Sequence, residues 1–293
     1  MPTKHVKPVQ DDYIIAGDLT FHYVQWGEQG TPIVFIHGIT ANAYCFQAFA
    51  DELASNHLVF AYDLRGRGDS DKPEEGYSLP LHAADLAELI DELGLERPVI
   101  AGHSLGAMIA LYFAAHYPEK LRKLVLIDAG AELPWKSVDE QPAWLTASFN
   151  RLGTPVPSFE EYTQRLRAAP FMGPYWNEYF DIYFQHDVRR NDDGSVVSKG
   201  YREGILEDGR NLFENHPEEQ WGRVAVPALL LRAGHGLFTE NDQLLPTESA
   251  QAILHGMKDC RFVDYPTLNH YTMIFGVEPG PAQEIGKFID EEK

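Results

Sequence analysis

Short, nearly uninterrupted apolar runs that alternate with stretches of helical periodicity restrict this chain's fold more than any other feature. Strands are predicted over Ile33–Ile36, Leu58–Ala61, Pro98–Ala101 and Leu121–Ile127, with helices over Tyr44–Ser55, Leu81–Leu93 and Ser104–His116 between them. A strand without a polar face cannot be half-solvated. It must be covered on both sides, which is the signature of a parallel sheet flanked by helices. Two strands precede this block, Tyr13–Ile15 and the alternating Leu19–Trp26, with turn residues Gly27–Gly30 after them. The pattern returns late in the chain with strand Ala228–Arg232, helix Thr247–His255, strand Arg261–Tyr265 and a terminal helix Ala282–Glu292. The expected architecture is α/β, with a mostly parallel eight-stranded sheet and helices on both faces.

Between residues 131 and 222 the alternation stops. This stretch is rich in prolines and aromatic residues, among them Trp135, Trp144, Phe171, Trp176 and Tyr183, and reads as helical. An insertion between two strands of one sheet explains it better than an independent domain. The expected organisation is therefore a core of residues 1–130 and 223–293 carrying a helical lid, 131–222, after the sixth strand. A chain of 293 residues, 44% hydrophobic and 23% charged, can bury a core of that size.

The formal net charge of −20 argues against nucleic acid and anionic membrane surfaces as partners. Cys45 and Cys260 are far apart and fit no metal or redox spacing, which leaves reduced thiols and a cytoplasmic protein as the expectation. The segment MPTKHVKPVQDDY has no apolar stretch of signal-peptide length, and no run of about 18 apolar residues is present. Dimerisation through the inserted segment stays open at this level.

Chemistry concentrates first at Gly102-His103-Ser104-Leu105-Gly106, where a predicted strand must turn sharply into a helix. A serine in that turn exposes its hydroxyl, while the flanking glycines remove side chains that would collide. His37-Gly38-Ile39 directly follows strand Ile33–Ile36. In this layout the backbone N–H groups of Ile39 and Leu105 form a candidate oxyanion hole. His37 itself reads as a residue that ties loops together. Serine needs a base. Of twelve histidines, His270, just after strand Arg261–Tyr265, lies at the sheet edge where the nucleophile turn opens. His103 is locked beside Ser104 and points elsewhere, whereas His116 and His255 lie at helix ends.

Taken together, His37-Gly38, Asp63-Leu64-Arg65-Gly66-Arg67-Gly68-Asp69-Ser70, the nucleophile turn and the late histidine resemble the α/β-hydrolase superfamily in order and spacing. The resemblance covers the whole chain except the insertion. It implies the α/β-hydrolase fold and a triad of Ser104, His270 and a carboxylate. Asp63 and Arg65 are expected to fix loops through ion pairs.

The carboxylate departs from the superfamily's usual pattern. Most relatives carry it shortly after the seventh strand, but here Ala228–Arg232 runs into Ala233-Gly234-His235-Gly236-Leu237, with Glu240 and Asp242 several residues late. The sixth strand ends directly in Asp128, and some members, haloalkane dehalogenases among them, place their acid there. Asp128 is the expected acid, with Asp242 and Glu240 as the alternatives. This placement, with His37-Gly38-Ile39-Thr40, is similar to the hydrolase that splits (E)-2-(acetamidomethylene)succinate; only the triad layout is carried over from that likeness.

Serine at position 104 points to acyl transfer to water. The expected activity is cleavage of a small or medium carboxylic ester, or of a lactone or activated amide, through an acyl-enzyme, with no cofactor and no metal. The aromatic insertion suggests a largely apolar pocket. A C–C bond hydrolase acting on a β-diketone-like acid would need a cation for the substrate carboxylate, with Arg165, Arg167, Arg189 and Arg190 as candidates. A ligand-binding protein on a hydrolase scaffold would keep the same residues without useful turnover.

Overall fold

The computed structural model describes residues 5–137 and 140–291. An eight-stranded sheet runs through its centre, built from β1 (Gln10–Ala16), β2 (Leu19–Trp26), β3 (Thr31–Ile36), β4 (His57–Tyr62), β5 (Val99–His103), β6 (Lys123–Ile127), β9 (Ala228–Ala233) and β10 (Cys260–Tyr265). The remaining two strands, β7 (Val188–Arg190) and β8 (Val196–Ser198), form a separate hairpin. The strand order is β1-β2-β4-β3-β5-β6-β9-β10. β1 and β2 pair antiparallel, as do β2 and β4, and every later pairing is parallel.

The burial of β3, β5, β6 and β9 explains their composition. From Ile33 to Ile36, and throughout β5, β6 and β9, each residue is buried, so an apolar side chain is favoured at every position rather than at alternate ones. His103, Lys123 and Arg232 are exceptions, and the surroundings of Lys123 show how one is accommodated. Its ammonium reaches the carbonyls of Phe288, Ile289 and Glu291 at the end of α10 (Gly280–Asp290), where the helix dipole favours a cation.

Helices α2 (Leu79–Glu92), α3 (Leu105–His116), α8 (Glu218–Trp221) and α9 (Thr247–Gly256) pack side by side, while α1 (Gln47–Leu53) packs against α10. The helix expected over Tyr44–Ser55 is divided. Asn42 caps a 3₁₀ turn over Ala43–Phe46, its side chain accepting from Tyr44 N–H, and α1 begins only at Gln47. The terminal helix ends at Asp290; Glu292, assigned to it from sequence, lies outside the described residues.

The insert enters after β6 and returns to the sheet at β9. It contains α4 (Ala143–Asn150), α5 (Phe159–Arg167), α6 (Glu178–Asp187) and α7 (Arg202–Asn211). It also contains the β7–β8 hairpin, a feature that the helical reading of this segment did not include. Val188 pairs with Ser198, and Gly194 takes the positive φ of 84° that the connecting turn requires. The Asp193-Gly194 turn signal is present in the sequence, but flanking strands of three residues are too short to show a period. Trp144, Phe171, Phe180, Tyr183 and Phe184 join the same hydrophobic cluster as the sheet residues, so the insert shares the core, and Phe149, Leu152 and Ile205 add a small cluster within the insert. Among the described residues, no helix is long and apolar enough to cross a membrane. Both cysteines are free thiols, Cys45 buried and Cys260 partly so.

Candidate active site

β5 ends at His103, and α3 starts at Leu105. The single residue between them, Ser104, makes the whole turn with φ 58° and ψ −123°. That conformation costs a non-glycine residue on the order of 1–3 kcal/mol and persists only where the surroundings enforce it. Here two close approaches do so. A Cβ on Gly102 would lie 2.0 Å from the Gly106 carbonyl oxygen, and one on Gly106 would lie 2.0 Å from the Ile36 carbonyl oxygen. α3 can therefore sit directly on β5 and β3 only because both positions lack a side chain. Ser104 N–H donates to Ile127 O across the neighbouring strand at 3.2 Å.

The turn opens into a cavity of about 270 Å³ lined by Ser104, His270, Gly38, Ile39 and Leu105, together with insert residues such as Trp144 and Phe171. Leu105 N–H stands at the head of α3, where no preceding helical carbonyl is available to it. Ile39 N–H makes no hydrogen bond among the described residues. Its peptide is held from the far side, because Gly38 O accepts from His37 Nδ1–H at 2.8 Å and from Ala41 N–H at 3.1 Å. His37 Nε2 in turn accepts from Leu64 N–H at 3.0 Å, which ties the loops after β3 and β4 together. Burial holds the His37 imidazole well below the usual histidine range, at about 4, so this neutral tautomer persists.

His270 lies in the loop after β10. Its Nδ1–H donates to Asp128 Oδ2 at 2.8 Å. Asp128 follows β6 with φ 53°, and its Oδ1 accepts from Ala233 N–H at the end of β9, at 2.9 Å. Burial disfavours charge on both partners. It pushes the imidazole down and the carboxyl up, the latter opposed by the Ala233 N–H and the Arg232 guanidinium. Two further contacts fix the base: His103 Nε2–H donates to His270 O at 2.9 Å, and the two rings lie 4.4 Å apart. His103 is kept neutral by the same burial, at about 3; it borders the cavity, with its Nε2 committed to this contact.

The alternative acids lie elsewhere. Asp242 accepts from Leu237, Phe238 and Thr239 N–H within its own loop, at 2.7, 2.9 and 3.2 Å. Glu240 also belongs to that loop, and its carbonyl accepts from Gln243. Of the four arginines considered as carboxylate contacts, Arg165 reaches the cavity lining, where it pairs with Glu161 on an exposed face. Arg167 pairs with Asp181 outside it, and Arg189 and Arg190 lie exposed on β7. Arg65 and Asp63 hold loops: Arg65 pairs with Asp85 through two hydrogen bonds, and Asp63 accepts from His22, Ala43 N–H and Asp69 N–H.

Three polar contacts in the cavity wall have no sequence signal. Arg151, Ser148 and Tyr271 line it, and the hydroxyls of the last two lie 3.2 Å apart. Arg151 and Ser148 come from the irregular insert, and only packing brings them to the sheet edge.

Two side-chain groups have metal-like spacing among the described residues, His22-Asp63-Asp69 and Glu132-His216-Glu218. In the first, burial is outweighed by hydrogen bonds to Asp63 and Asp11, which hold His22 protonated at about 9 with both ring nitrogens used. An imidazolium offers a metal no lone pair. The second group is fully exposed.

A family model described as the alpha/beta hydrolase fold matches residues 31–277. Over 113 residues, 38% of this chain and 32% of the relative, it is 41% identical to epoxide hydrolase 4 of Mus musculus. It is 34% identical to a 2-(acetamidomethylene)succinate hydrolase of Mesorhizobium japonicum over 146 residues, 50% of this chain and 52% of that protein. These alignments thus span about a third to a half of the relatives' length. The crystal structure of an E-2-(acetamidomethylene)succinate hydrolase superimposes with a TM-score of 0.83 at 24% identity, covering 96% of this chain and 99% of the other.

Proposed function

This chain belongs to the alpha/beta hydrolase fold family, and on that premise we propose that it is a hydrolase that cleaves a small or medium carboxylic ester, lactone or activated amide through an acyl-enzyme on Ser104. One observation carries the reading. Ser104, held at positive φ at the head of α3, opens into the same cavity as a histidine whose far nitrogen is bonded to a buried carboxylate.

With Nδ1–H donated to Asp128, His270 presents Nε2 as the basic nitrogen. It takes the Ser104 proton as Oγ attacks the carbonyl carbon. Asp128 keeps the tautomer and stabilises the imidazolium that forms. The N–H groups of Ile39 and Leu105 receive the oxyanion. His270 then returns the proton to the leaving group, and water attacks the acyl-enzyme by the same route in reverse. The nucleophile's chemistry also separates this reaction from epoxide opening. A serine that opened an epoxide would form an ether, which water does not cleave under these conditions, whereas an acyl-serine is an ester that the same base can hydrolyse.

We read residues 131–222 as a lid over this cavity and a small organic molecule as the partner. Labelling with a fluorophosphonate tests the assignment. The wild-type protein should label and Ser104→Ala should not, and wild-type protein should turn over short p-nitrophenyl esters repeatedly. A wild-type protein that neither labels nor turns over esters would sink the reading.

A further inference from the structure

The loop that carries Ile39 is held in an unusual way. Three consecutive carbonyls each meet a side-chain donor, buried in His37 and Arg67 and largely buried in Arg151: Gly38 O accepts from His37 Nδ1–H, Ile39 O from Arg67 Nε–H at 3.0 Å, and Thr40 O from Arg151 Nη2–H at 2.9 Å. Two of these donors are guanidiniums, and each is charge-balanced by an acid of the insert. Arg67, fully buried, reaches Asp208 on α7 at 2.5 Å. Arg151, just past the end of α4, reaches Asp187 at the end of α6 at 2.6 Å, and Tyr162 Oη at 2.8 Å. His82 adds a bond from α2 to Asp208 at 3.0 Å.

We infer that Arg151 is a positioning residue for the oxyanion hole: anchored by Asp187, it fixes the Thr40 carbonyl and so keeps the Ile39 N–H aimed into the cavity. The inference rests on the acyl-transfer reading above and deepens it, because it makes correct seating of the insert a condition for catalysis.

Two physical arguments support this role. A buried ion pair contributes little net stability over apolar residues of the same volume, so stability alone gives no reason for Arg151 and Asp187. Geometry gives one. A guanidinium has donors on separate nitrogens in a rigid fork, so Nη1 holds Asp187 while Nη2 holds Thr40 O, whereas the ammonium of a shorter lysine would have to reach both acceptors from one nitrogen. An oxyanion donor, meanwhile, is sensitive to small displacements. Losing one costs about 10²–10³ in kcat, and a shift of about 1 Å in a reacting geometry about 10²-fold.

The test compares wild type with Arg151→Lys and with the double variant Arg151→Met, Asp187→Leu, after wild-type ester turnover has been shown to vanish in Ser104→Ala. Both variants should lose about 10- to 100-fold in kcat with KM within about twofold. Affinity for a trifluoromethyl ketone, which forms a tetrahedral adduct with the serine, should fall by the same ratio, while affinity for the parent methyl ketone should not change. The double variant leaves no buried charge, and Arg151→Lys keeps the charge paired, so folding of one is enough for the test. Wild-type kcat in a folded variant overturns the inference, as does a loss confined to KM, which would make Arg151 a substrate contact. Absence of Ser104-dependent turnover in the wild-type protein overturns the underlying reading as well.

Discussion

His270 Nδ1 and Asp128 Oδ2 lie 2.8 Å apart, although 142 residues of chain separate them and the usual place for the acid is occupied by glycine. The neighbouring candidate, Asp242, spends both carboxylate oxygens on backbone N–H groups of its own loop. Asp128→Asn should therefore lower kcat/KM by about 10³–10⁴, because the amide no longer selects the productive tautomer. Asp242→Asn should stay within about tenfold of wild type. Steady-state ester hydrolysis by both variants decides, and near-normal activity in Asp128→Asn would remove it from the triad.

The pH profile follows from the same pair. The base must be neutral to act, so activity should be present at high pH and be lost as pH falls through protonation of the His270–Asp128 unit. In Asp128→Asn the carboxylate no longer favours the imidazolium, and burial alone governs His270, pushing its pKa down. The acidic limb of kcat/KM should then move to lower pH while the plateau drops. A limb that stays in place would show that another group controls it.

Gly102 and Gly106 should tolerate no side chain. An alanine Cβ at either would lie 2.0 Å from a backbone carbonyl oxygen, and moving it means separating α3 from the sheet. Each Gly→Ala change should cost about 3 kcal/mol or fail to yield folded protein. Gly222, with helical φ −68° and nothing near its missing Cβ, is the matched control, where alanine should stabilise by about 0.4–1 kcal/mol. Thermal or denaturant unfolding of the three variants reads this directly, and a Gly102→Ala protein as stable as wild type would contradict the packing described.

Chain-length preference should reflect the cavity. About 270 Å³ enclosed by Trp144, Phe171 and Tyr271 suits a short acyl group. p-Nitrophenyl acetate or butyrate should have kcat/KM at least about tenfold above the palmitate ester. The reverse order would mean that the insert swings clear of the site.

Much of this architecture was legible because it is local. A strand apolar at every position can only be buried on both faces, and glycine–X–serine–X–glycine between such a strand and a helix can only make a sharp turn. Hence the sheet, the insertion point after β6, and the approach of Ser104 and His270 to one edge could be read from order and spacing. The β7–β8 hairpin could not, since three-residue strands carry no measurable period.

Choice among carboxylates is a different kind of question. Asp128 and Asp242 follow two strands, β6 and β9, that lie side by side and end at the same edge, so chain order places both near the histidine. Only tertiary structure separates them, because the Ala233 N–H of one strand orients the acid of the other while Asp242 is drawn into its own turn. The same holds for Arg151, Asp187 and Thr40, brought together across 36 and 111 residues. Periodicity and motif spacing report what a residue's neighbours along the chain require. Which buried donor meets which buried acceptor is decided by packing, where an unsatisfied partner costs more than any local preference can return.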